Sequence, residues 1–167
     1  MALNNYVLRS PAVVIAADDR DPYVSWQNHL ARTSGLRGGV ALVAVVGTPV
    51  YARTSGVMLH VPNDGSAGNS CRFQHDDNPG WRDVFSHLSR YVGWSVQHFN
   101  AGDVVAYTGD TGGVTQHLHW HLVDPAGNRQ NAWDYFSGAG TAGGGTTLIE
   151  GDDMYDEAAR YEVISTL

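Results

Sequence analysis

The run His117-Leu118-His119-Trp120-His121-Leu122 places a histidine at every second position. An extended chain sends successive side chains to opposite faces, so the three imidazoles share one face and Leu118, Trp120 and Leu122 the other. The spacing predicts a strand with an apolar, core-facing side and a histidine side turned to whatever lies opposite. A His-x-His pair on a strand can chelate a metal, or hold one imidazole on the ion and its neighbour on a substrate. All three histidines cannot share one ion, because His117 and His121 stand about 13 Å apart along a strand while Zn–N bonds are about 2 Å. The competing reading is a wet sheet face that carries histidines without chemistry.

The elements that must position this strand are β-type. A chain of 167 residues suits one domain with its own hydrophobic core. Twenty glycines, 10% aromatic and only 16% charged residues favour a loop-rich β protein over a helical bundle. Strand-like runs separated by turn signals cover 38–52 (split by Gly47-Thr48-Pro49), 56–61, 70–74, 81–88, 91–99 and 104–108 before the histidine strand. The expected fold is mainly β: one antiparallel sheet or sandwich-like domain over 37–136. Residues 1–36 are expected to form an irregular segment packed on it. Residues 137–152 read as a Gly-rich linker, and 153–167 as an amphipathic C-terminal helix capped by Asp152 or Asp153.

Composition also excludes partners. A net charge of −7 and no basic cluster argue against nucleic-acid binding. The single Cys71 rules out an internal disulfide and suits a small buried apolar group. The apolar run 12–17 is too short for a secretion signal and passes directly into Asp18-Asp19-Arg20-Asp21. No stretch has the length of a membrane span, so neither a secretion signal nor membrane insertion is expected.

Seven segments, in order, resemble the lysostaphin-type zinc endopeptidases that cut peptidoglycan cross-bridges. Gly47-Thr48-Pro49-Val50-Tyr51-Ala52 with Gly56-Val57 is similar to that family's GTPVYAPADGVV segment. Gly68-Asn69 and His75 lead to Phe85-Ser86-His87-Leu88-Ser89, similar to its YAHLS. Gly102-Asp103-Val104-Val105-Ala106-Tyr107-Thr108-Gly109 with Thr111-Gly112 resembles GDVIGYVGSTG, and His117-Leu118-His119 resembles HLH. Asp124-Pro125-Ala126-Gly127 and Asn131-Ala132-Trp133-Asp134-Tyr135-Phe136 resemble the closing DPxG…NPWDYF.

The resemblance implies a zinc held by the His and Asp of an H-x-x-x-D motif and by the second His of HLH. A bound water fills the fourth position. It implies two helper histidines beside that water, matched here by His87 and His117, and one retained ligand, His119. The other two ligand positions fall on Arg37 and Ala41. A guanidinium has no lone pair for a metal, and alanine has no donor at all. His121 stands where the family commonly has Glu, and Gln116 where it has Pro; both are candidate groove residues. Arg37 either fills the vacated cation site with its own charge or points to water.

The expectation is therefore a degenerate domain without a bound cofactor, serving as a bacteriophage tail-tip or other structural component. Its expected partners are other virion proteins, through the C-terminal tail, and peptidoglycan. Its expected location is the virion, or the host cytoplasm before assembly and lysis. The alternative is an active zinc endopeptidase, an endolysin or virion-associated lysin, with ligands drawn from His29, Asp18, Asp19, Asp21, His75 or His98. For His60, His75 and His98 taken singly, a satisfied or solvated histidine is expected. A binding module unrelated to cell walls is a third reading.

Overall fold

The computed structural model describes residues 7–8, 14–15, 22–33, 37–132 and 134. Among these residues are eleven strands, one α-helix and a single 3-10 turn at Gly65–Ala67: β1 (Val14–Ile15), α1 (Pro22–Arg32), β2 (Val40–Val43), β3 (Pro49–Tyr51), β4 (Gly56–Val61), β5 (Ser70–His75), β6 (Arg82–Ser86), β7 (Arg90–Tyr91), β8 (Val96–Phe99), β9 (Val104–Tyr107), β10 (His117–Val123) and β11 (Arg129–Gln130). All pairings are antiparallel. The larger sheet runs β1-β2-β10-β6-β5-β4-β8, with β11 also paired to β10; the smaller runs β3-β9-β7. The fold is mainly β, as expected from the turn spacing, with one short α-helix among the described residues and the strands in open sheets. No helix among the described residues is long and apolar enough to cross a membrane.

The histidine strand lies inside the large sheet. β6 pairs with one edge of β10 over His119–Val123. β2 pairs with the other edge over His117–Trp120, and β11 takes over that edge at Leu122 and Val123. The alternation holds: Leu118, Trp120 and Leu122 are all within 1% of full burial and join Leu42, Phe73, Phe85 and Val105 in the core. Cys71 is buried in the same core, where desolvation pushes its thiol pKa up.

Trp120 also carries a polar contact through the core. Its Nε1–H donates to Asp83 at 2.8 Å, and Asp83 accepts from Arg53 Nε at 3.0 Å and from His75 Nε2 at 2.8 Å. Burial alone would raise the Asp83 pKa. The Arg53 charge and the bonds from His75 and Trp120 outweigh it and hold the carboxyl below its usual range. A carboxylate with several donors is how a charge survives at 1% exposure.

Three expectations need correction. Residues 1–36 are not wholly irregular, because 22–32 form α1. The sequence carried the cue: Pro22 after Asp21 is a helix-start pattern, and proline's missing N–H costs nothing in a first turn. The run 91–99 is two strands, β7 and β8, separated where Gly93 takes φ +71°. The run 81–88 shortens to β6, since His87 leaves strand geometry with φ +63°. The linker 137–152 and helix 153–167 lie outside the described residues.

Trp120→Ala should destabilise the protein by about 3–5 kcal/mol, since it empties a large aromatic site and leaves Asp83 one donor short. Equilibrium denaturation checks this, and a loss below about 1 kcal/mol contradicts the packing described.

Candidate functional site

A cavity of about 270 Å³ opens against the histidine face of β10. His119 and His121 line it from β10, His87 from the turn after β6, and His29 from α1. The His119 ring centroid lies 4.9 Å from that of His29, 5.5 Å from His121 and 6.1 Å from His87. His117 completes the group, with its ring 4.5 Å from that of His87. His87, His117 and His119 thus lie close together, although His117 does not line the cavity itself.

Backbone geometry aims these rings. His87 adopts the left-handed conformation, uncommon for a residue with a side chain, and its Nδ1–H donates to the Thr111 carbonyl at 2.9 Å. The Nδ1–H of His117 donates to the Thr115 carbonyl at 2.8 Å, and that of His29 to the Ser25 carbonyl at 2.7 Å. A carbonyl only accepts, so each bond fixes the Nδ1–H tautomer and leaves Nε2 as the basic nitrogen. α1 is fastened to the sheet where the Ser25 hydroxyl accepts the Ala41 N–H at 3.1 Å.

Two consecutive glycines make the close approach possible. A Cβ at Gly38 would overlap the Trp26 ring of α1, and a Cβ at Gly39 would overlap the His119 imidazole. Successive positions of an extended segment face opposite ways, so one pair of glycines seats the helix and the histidine together.

Desolvation dominates the electrostatics. It drives the His119 pKa well below the ordinary histidine value, and the neighbouring His29, His121, His87 and His117 add to the effect. His121 is lowered in the same way, first by burial and then by the Arg129 charge. Both imidazoles are neutral at pH 7 and able to act as lone-pair donors or hydrogen-bond partners.

The residues around His119 do not fit the zinc set that the resemblance implies. Ala41, 1% exposed, is the direct cross-strand partner of His119, so a methyl stands where a carboxylate would face the imidazole. Arg37 lines the same cavity with a fixed positive charge. Among the described residues no group of three His, Cys, Asp or Glu side chains is arranged to hold a metal ion.

The other candidates separate cleanly. Gln116 turns from the cavity to accept the Val46 N–H at 3.1 Å, so it does not line this groove, whereas His121 does. His75 is the buried partner of Asp83, His98 is an exposed partner of Asp76 at 2.7 Å, and His60 stacks on Tyr91 at 4.0 Å. None of these three enters the site. His29 does, although nothing in its local sequence repeats the ligand motif. Arg32 and Arg129 also line the cavity and carry no motif by which sequence reading would find them, while Ser86 lines it from within the segment that holds His87.

The model of peptidase family M23 matches residues 35–132, more than half of the chain. The chain belongs to peptidase family M23. The peptidoglycan DD-endopeptidase ShyA of Vibrio cholerae is 34% identical over 86 residues, spanning 51% of this chain and 20% of the relative. The chain thus spans about a fifth of that curated relative's length. The catalytic domain of the antimicrobial peptidase lysostaphin from Staphylococcus simulans is similar in structure, with TM-score 0.55, 28% identity and coverage of 62% of this chain and 80% of that one. A peptidase assigned to M23 from Pseudomonas aeruginosa gives TM-score 0.54 and 26% identity, covering 60% of this chain and 43% of that one. The fold described above is therefore the lysostaphin-type M23 fold, in a family that is normally zinc-dependent.

Within this M23 domain, Gly39→Ala should force the His119 ring aside and destabilise the protein by about 1–3 kcal/mol, as overpacking does. Thermal denaturation with histidine NMR reads both effects. An unchanged melting temperature with an unmoved His119 resonance contradicts the close packing.

Proposed function

We propose that this M23 domain is catalytically degenerate and uses its groove to contact cell-wall peptide rather than to cut it. The observation that carries the reading is the pairing of Ala41 with His119 beside Arg37. One imidazole ligand without its carboxylate and second histidine does not make a closed catalytic set. His87 and His117 then remain as helper histidines with no activated water to serve. Its similarity to a peptidoglycan endopeptidase supports the wall as the surface met. We place it as a bacteriophage structural or tail-tip component, reaching other virion proteins through its C-terminal tail. That placement rests on the lysostaphin-type resemblance, since such domains are used in phage endolysins and tail tips. Detection of the chain in purified virions tests it.

A second reading is favoured by one contact. His29, at 4.9 Å from His119, brings an extra imidazole to the site and is where a rearranged ligand set of an active endopeptidase would begin.

Peptidoglycan hydrolysis separates the two. The natural chain should release cross-bridge peptides at background rates. Arg37→His with Ala41→Asp should raise zinc affinity by at least about tenfold, because His119 and both helper histidines are already placed. Hydrolysis should lag behind binding only as far as groups orienting the new ligands are missing. Chelator-sensitive cleavage by the natural chain, with no gain in zinc affinity for the double variant, overturns the degenerate reading.

A further inference from the structure

The cavity is cationic in a chain that is not. Against a net charge of −7, Arg32, Arg37 and Arg129 reach it from α1, the segment before β2, and β11, and no Asp or Glu lines it among the described residues. Burial lowers the Arg129 pKa, and the next influence is the Arg37 charge; Asp64 opposes both more weakly. Two guanidiniums close enough to repel across a partly buried space are poised for an opposite charge between them. Arg129 is held in place by the bond from its Nη1 to the Gly38 carbonyl at 3.2 Å.

A second observation points the same way. His121 is 4% exposed and lines the cavity, and its Nδ1 has no hydrogen-bond partner among the described residues. A buried polar nitrogen in that condition calls for a ligand. Ser86, equally buried at the end of β6 and paired in register with His119, lines the same space.

We propose that the cavity binds a compact oxyanion, a carboxylate or a phosphate group, between Arg37 and Arg129, with His121 and Ser86 as hydrogen-bonding partners. Guanidinium forks match the oxygens of either group, and a water-poor site strengthens such charge-assisted bonds. The site takes a negative ligand where the family's arrangement would present a metal cation. It rests on the reading that the face between Arg37 and His119 holds no zinc.

Calorimetric titration of the metal-stripped full chain tests the site, with inorganic phosphate in one arm and acetate in the other at constant ionic strength. Saturable one-to-one binding of at least one probe is expected. Arg37→Gln, an exposed change that leaves the core untouched, should weaken it by roughly tenfold or more, and Arg129→Gln likewise. Arg72→Gln, an exposed change on β5 outside the cavity, should leave it unchanged. Tighter acetate binding assigns a carboxylate-bearing ligand, and tighter phosphate binding a phosphorylated one. Absence of saturable binding, or binding undiminished by Arg37→Gln, overturns the proposal while leaving the degenerate reading standing. Binding that appears only after zinc is added overturns both.

Discussion

The register between β2 and β10 is the constraint on which the rest of the site depends. His119 faces Ala41 because β10 is gripped on both edges, by β6 on one side and by β2 and β11 on the other. A one-residue slip would carry Leu118, Trp120 and Leu122 to the cavity and the histidines into the core. The buried apolar triplet therefore fixes where the imidazoles point, and no metal is needed to bring them together. The Asp83 contact with Trp120 reinforces that register from the core side, because it ties β6 to β10 through a bond that a slipped strand would lose.

The same register explains how the site can change its chemistry without losing its shape. Neither Arg37 nor Ala41 offers a lone-pair donor, and the glycines at 38 and 39 seat Trp26 and His119 against the backbone. α1 closes over this face and supplies His29, so the imidazoles are packed among one another and desolvated. Their neutrality follows from burial and mutual repulsion. Arg32, Arg37 and Arg129 line the same cavity, and no Asp or Glu does so among the described residues.

Much of this was legible in the sequence because it rests on local periodicity. The alternation of β10 shows in six residues, and Gly47-Thr48-Pro49 and Asn100-Ala101-Gly102-Asp103 mark their turns by residue type alone. The ordered segments of the M23 resemblance located His87, His117 and His119, and the structure brings them to one place. What the sequence concealed depends on long-range packing. His29 reaches His119 only because α1 crosses the sheet, and its i to i−4 bond to Ser25 looks like any helical contact. Arg129 joins the cavity only because β11 pairs with the end of β10. Gln116 stays out of the groove for a similar reason, since its amide oxygen accepts from the Val46 turn 70 residues away in the chain. The helix α1 has only the Asp21-Pro22 start signal in its local sequence, set among acidic residues and prolines that favour a loop.

The central claim is that Ala41 and Arg37 leave His119 without the partners a zinc site requires. The most direct test is elemental analysis of the full chain produced in zinc-replete medium, with anomalous diffraction to locate any metal. The account predicts well below one zinc per chain and no anomalous peak beside His119. One tightly held zinc per chain, bound through His119, would contradict it.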